Sequence, residues 1–144
     1  MEILEKSENA KMERIKRIKD LLKPFFDKNG KKFAVATEQQ ILDFVEKCKQ
    51  KNVPVSAWEQ LVEFYGVTNG VPCLNGFDFH ACDDEIIFEC WDDNMLWLGQ
   101  CNDDVLWWVG NEFCIGDASN VSYTFEYEFD TLIEMLQKGF EEWF

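Results

Sequence analysis

The chain is poor in histidine and proline, and its last two-thirds is nearly devoid of positive charge. Its 144 residues contain one histidine and three prolines, and of 14 Lys and Arg only Lys138 lies beyond Lys51. The lone His80 falls in a strand-like stretch with no Ser or Cys nucleophile paired to it, which argues against triad or dyad chemistry; no enzyme is expected. None of the six cysteines (Cys48, Cys73, Cys82, Cys90, Cys101, Cys114) forms a CxxC, and their spacings of 25, 9, 8, 11 and 13 match no zinc module. Reduced, mostly buried thiols without metal or cofactor are the expectation. No apolar run approaches the roughly 18 residues of a membrane helix, and MEILEKSENAKMER lacks a signal-peptide apolar region. A cytoplasmic location away from membranes is therefore expected, and the sequon Asn120-Val121-Ser122 is expected to be idle.

What is present is apolar mass and acid. Hydrophobic residues make up 47% and aromatics 15%, which excludes a disordered chain and fits a single domain over 1–144. The net charge of −14 is uneven: residues 1–51 carry 13 bases against nine acids, a net of +4, and the remainder nets −18. That asymmetry argues against direct nucleic-acid binding by the acidic part and for a basic partner; simple solubility of an aromatic-rich domain is the bland alternative.

Met12, Ile15, Ile18, Leu22 and Phe25 recur at helical spacing among basic residues, predicting a helix from about Glu8 that kinks or ends at Pro24. Asn29-Gly30 marks a turn. Thr37-Glu-Gln-Gln40 has the capping-box pattern, opening a helix with Ile41, Phe44, Val45 and Cys48 inward and Asn52-Val53-Pro54 at its end. A third helix, capped by Ser56, runs through Trp58, Leu61, Val62 and Tyr65 to Gly66, with Trp58 expected as a buried anchor.

From Val71 the period changes to two. Strands are expected at Leu74–Ala81, Glu85–Trp91, Met95–Gly99, Val105–Val109 and Phe113–Ile115, then in the alternating VSYTFEYEF of 121–129. A last helix from about Asp130 packs Leu132, Ile133, Leu136, Phe140 and Trp143. The expected fold is α+β: N-terminal helices, a mainly antiparallel sheet of about six strands, and a closing C-terminal helix.

Within this region CWDDNMLWLGQCNDDVLWWVG repeats itself at a spacing of 11: Cys90 and Cys101, Asp92-Asp93 and Asp103-Asp104, Trp97 and Trp108, Gly99 and Gly110. One strand plus one turn accounts for the period, which makes the Asp pairs turn residues, with Asp83-Asp84 a third case. No D-x-D-x-D-G loop is present to favour calcium.

The stretch AWEQLVEFYGVTNG, Ala57 to Gly70, resembles the motif of the SUKH superfamily, which contains fungal Smi/Knr-type regulators and many bacterial immunity proteins of polymorphic toxin systems. Pro54, Trp58, Leu61, Phe64, Tyr65, Asn69 and Gly70 match it, and the Thr37–Cys48 helix and FDTLIEMLQKGFEEWF resemble the family's first and last helices. The likeness covers residues 36–144 and leaves 1–35 as a basic helical N-terminal extension; Val71 stands where a second glycine is often found. These are packing and turn residues, which transfer a fold better than a function. The resemblance implies a non-enzymatic protein-binding domain, in bacteria an immunity protein or antitoxin that neutralises a cognate toxin. A basic nuclease would suit the acidic surface. An intracellular adaptor of the Smi/Knr type is the alternative, followed by a small-ligand-binding or enzymatic domain. Candidate partner contacts are Asp83, Asp84, Asp92, Asp93, Asp103 and Asp104, with Trp91, Trp97, Trp107 and Trp108 as aromatic anchors.

Overall fold

The computed structural model describes the backbone of residues 2–117 and 125–144, and side chains over 6–117 and 127–144. Three helices come first: α1 (Glu2–Lys28), α2 (Glu38–Gln50) and α3 (Val55–Tyr65). Six strands follow: β1 (Val71–Leu74), β2 (Phe77–Phe79), β3 (Met95–Cys101), β4 (Asp104–Val109), β5 (Glu112–Asp117) and β6 (Phe125–Phe129). Helix α4 (Leu132–Trp143) closes the chain. The strands form one antiparallel sheet in the order β1-β2-β3-β4-β5-β6, so the α+β architecture expected from the sequence is the one observed.

Helix α1 does not stop at Pro24. Proline forfeits one N–H bond there, but its ring is exposed, while Ile18, Leu22, Phe25 and Phe26 on the other side are buried. Burial of that stripe outweighs the lost bond and carries the helix to Lys28, where Asn29-Gly30 turns the chain as expected. Farther back, Arg14 clasps the buried carboxylate of Glu63 on α3, with Nε at 2.8 Å from Oε1 and Nη2 at 3.0 Å from Oε2. Paired this way, both Glu63 carboxylate oxygens are hydrogen-bonded inside the structure.

The capping box at Thr37 is present in both directions, with Gln40 N–H donating to the Thr37 hydroxyl and Thr37 N–H to the Gln40 side chain. Ser56 does not cap α3. Pro54 holds that position at φ −58°, pre-set for helix entry, and Ser56 lies inside the first turn. Trp58 is half-buried rather than buried, with Lys49 Nζ 5.9 Å from its ring centre. Ala57, Leu61, Phe64 and Tyr65 fill the fully buried stripe of α3 instead.

The sheet departs from expectation at two places. Leu74–Ala81 is not one strand but the β1–β2 hairpin, because Asn75 at φ 51° begins a two-residue turn. Asn102 at φ 55° and Asn111 at φ 70° serve the β3–β4 and β4–β5 turns in the same way. Glu85–Trp91 is not a strand. It forms 3-10 turns at Glu85–Phe88 and Trp91–Asp93, the first opened by the Asp84 carboxylate accepting from Ile86 N–H. The apolar run there plugs the core with Ile87 and Phe88, and apolar content alone does not separate a short strand from such a turn. In VSYTFEYEF, β6 covers Phe125–Phe129; Val121 to Thr124 and the sequon lie outside the described residues.

All four helices contribute to one core on one face of the sheet. Phe25 of α1 and Trp143 of α4 meet Phe77, and Phe64 of α3 meets Phe79 with ring centres 4.2 Å apart. Phe44 of α2 joins through Tyr65. Leu96, Leu98, Leu106, Trp108, Phe113 and Ile115 complete this face.

Candidate partner-binding surface

The motif residues Tyr65, Asn69 and Gly70 clamp the loop that follows β2. The Tyr65 hydroxyl donates to the His80 carbonyl at 2.7 Å, fully inside the protein. The Asn69 side chain accepts from Cys82 N–H at 2.8 Å and donates to Asp83 at 3.0 Å. Gly70 sits at φ 80° with Phe79 and Ala81 backbone so close that a Cβ would collide with them.

Structural hydrogen bonds account for half of the candidate aspartates. Asp83 is held by Asn69 and, at 3.4 Å, by the Gln40 amide. Asp84 caps the 3-10 turn, and Asp104 accepts from Trp143 Nε1 at 2.8 Å on the helix side. Among the described residues, Asp92, Asp93 and Asp103 are exposed and carry no side-chain hydrogen bond or ion pair. Nor do the pairs share one edge. Asp83-Asp84 and Asp92-Asp93 lie in the loop entering β3, whereas Asp103-Asp104 follow its far end.

The 11-residue repeat has no structural equivalence. Cys90 precedes a 3-10 turn while Cys101 ends β3. Gly99 lies mid-strand, where a Cβ would collide with the Asp78 carbonyl, and Gly110 lies in a turn. Trp97 pairs with Trp107, so Trp108, one residue on, points to the opposite face.

The four tryptophans accordingly divide. Trp108 is a core residue, 4% exposed, and Trp91 stacks against it with its indole N–H donated to the Lys51 carbonyl at 2.9 Å. Trp97 and Trp107 stand on the sheet face away from the helices, both half-buried, with ring centres 5.9 Å apart. They form a cross-strand row, Trp97–Trp107–Cys114–Glu128. Flanking it are Asp78–Gln100–Val105–Gly116 on one side and Met95–Val109–Glu112 on the other. The face is thus an aromatic centre with carboxylates at its borders. The Glu112 carboxyl is pushed above its usual range by a hydrogen bond with Glu128, the mark of two acids competing for the same space.

Sequence reasoning missed Asp78, Gln100, Glu112 and Glu128 because it weighed paired aspartates rather than strand parity. The turn alone would mislead: two residues at Asn102-Asp103 set Trp97 opposite Trp108, and it is the bulge between Trp97 and Gly99 that shifts the register by one and brings Trp107 there. His80, 6% exposed, lies at the edge of this face, its ring edge-on to Trp97 at 5.2 Å.

All six thiols are unpaired: Cys48, Cys82, Cys101 and Cys114 are buried, Cys90 is half-buried and Cys73 exposed. Burial pushes Cys48 and Cys114 up to about 12 and Cys82 and Cys101 to about 11, leaving these four inert thiols rather than thiolates. Among the described residues no group of three His, Cys, Asp or Glu is placed to hold a metal ion, and no helix is long and apolar enough to cross a membrane. Compared with family models and with curated proteins, the chain has no significant match.

Proposed function

We propose that this chain is a SUKH-like protein-binding domain that works without catalysis, as an immunity protein in the bacterial cytoplasm. It neutralises a basic toxin domain, a nuclease by its charge, by occupying the surface that the toxin needs for phosphate. The observation that carries this reading is the Trp97–Trp107 pair on the helix-free face, bordered by Asp78, Glu112 and Glu128 within a segment of net charge −18. Half-exposed aromatic anchors bind through apolar area, and bordering carboxylates steer and select a cationic partner. Asp92, Asp93 and Asp103 at both ends of β3, without a side-chain partner among the described residues, add to the same field without supplying a single footprint.

The experiment is co-expression in bacteria with the toxin domain encoded beside this chain's gene. The chain is expected to restore growth and to co-purify with the toxin as a stoichiometric complex. Continued toxicity, with no complex formed from well-folded protein, would reject the immunity reading.

A further inference from the structure

At the β2 edge of the same face lies a cleft of about 520 Å³ whose lining includes Lys31, Lys32, Asp78, His80, Trp97 and Gln100. Two side-chain atoms of this lining, His80 Nε2 and Gln100 Oε1, are buried and have no hydrogen-bond partner among the described residues. Such orphans are uncommon, because each leaves the desolvation of a polar atom unrecovered.

Asp78 sets the orientation of Gln100 and biases the tautomer of His80. Gln100 Nε2 donates to Asp78 Oδ2 at 2.6 Å, and a flipped amide would set oxygen against oxygen, so Oε1 is an acceptor without a donor. His80 Nδ1 lies 3.9 Å from the same Asp78 oxygen, beyond hydrogen-bond range but within its field, which favours the Nδ1–H tautomer with Nε2 as an acceptor. Burial lowers the imidazole pKa against the opposing pull of Asp78 and Asp84, which keeps the ring neutral at pH 7. Two orphan acceptors and a carboxylate therefore gather beside the Trp97 ring.

We propose that this cleft binds a guanidinium, an arginine side chain, with its N–H groups on Asp78, Gln100 Oε1 and His80 Nε2 and its plane against Trp97. A planar fork of five donors suits several acceptors better than the point charge of an ammonium, and it stacks on indole. Lys31 and Lys32, both exposed on the same lining, make the cleft bipolar. They favour an arginine with a carboxylate close by over an isolated cation. The source of that arginine, the toxin, rests on the partner-binding reading above; the ligand chemistry does not.

His80 is the only histidine, so its imidazole resonances report on the cleft without assignment ambiguity. The test titrates the full, isotopically labelled chain with N-acetylarginine, its amide and N-acetyllysine. N-acetylarginine is expected to give saturable His80 shifts in the millimolar range and a change in tryptophan fluorescence that is absent in Trp97→Phe. The amide is expected to bind more weakly, and N-acetyllysine about tenfold more weakly or less well still. Gln100→Leu, checked for fold by circular dichroism, should weaken binding about tenfold by removing one acceptor. Lys31→Gln with Lys32→Gln should abolish the difference between acid and amide. No saturable shift with either arginine compound would mean that the orphan acceptors hold ordered water only, and would overturn the proposal. Equal binding of the lysine compound would overturn it too. If arginine binds but no toxin does, the immunity reading fails while the guanidinium site stands.

Discussion

The Tyr65 hydroxyl reaches 2.7 Å to the carbonyl of His80, joining the end of α3 to the residue that follows β2. The phenol is completely buried, and burial pushes its pKa well above the ordinary value, so it stays a donor. Tyr65→Phe removes that donor and strands a buried carbonyl. The expected loss is about 1–3 kcal/mol in chemical denaturation, together with a shift of the His80 resonances. Unchanged stability and an unchanged His80 environment would show that the bond does not hold this loop.

Trp58 and Phe64 make a contrasting pair on the same helix. Phe64 is fully buried against Phe79, whereas Trp58 is half-buried beside Lys49. Phe64→Ala should cost about 3–5 kcal/mol, and Trp58→Ala about 1–2 kcal/mol with soluble protein still obtained. Equal losses from the two variants would contradict this division of the core.

His80 gives stability a dependence on pH with a definite sign. Its folded pKa lies below the unfolded value of about 6.5, so the unfolded chain binds the proton more readily. The contribution is complete above about 6.5 and is lost as pH falls through that value toward the folded pKa. Unfolding followed between about pH 5.5 and 7.5 should show stability rising with pH, and His80→Gln should flatten that rise. A wild type and variant of equal slope would place His80 in a solvated environment.

The aspartates should separate by stability. Asp83→Ala removes the partner of Asn69 and Gln40 and should cost about 0.5–1.5 kcal/mol. Asp103→Ala, which breaks no side-chain bond among the described residues, should stay within about 0.5 kcal/mol of wild type. A larger loss at Asp103 than at Asp83 would reverse the assignment of which acids hold the fold.

Much of the architecture was legible because local signals agreed with the tertiary result. The Thr37 capping box, the Asn29-Gly30 turn and the period change at Val71 each state their structure in a few residues. Misreadings arose where tertiary burial overrode a local rule. Proline at 24 is tolerated because four buried side chains flank it, and EIIF plugs the core as a 3-10 turn although its composition suits a strand. The candidate site was half legible for a related reason. Composition showed acids and tryptophans, but only the registers of β2 to β6 separate Trp97 and Trp107 from Trp108, and only side-chain geometry separates Asp83 from Asp103.

The most direct test of the proposed partner-binding surface is the association and dissociation kinetics of the proposed toxin complex at low and high salt, for wild type, Trp107→Ala and Asp92→Asn/Asp93→Asn. Trp107→Ala should raise Kd at least about tenfold, chiefly through faster dissociation. The aspartate pair should slow association several-fold at low salt and lose its effect at high salt, with both variants folded as wild type. Binding indifferent to salt, to Trp107 and to the aspartate pair would contradict the account.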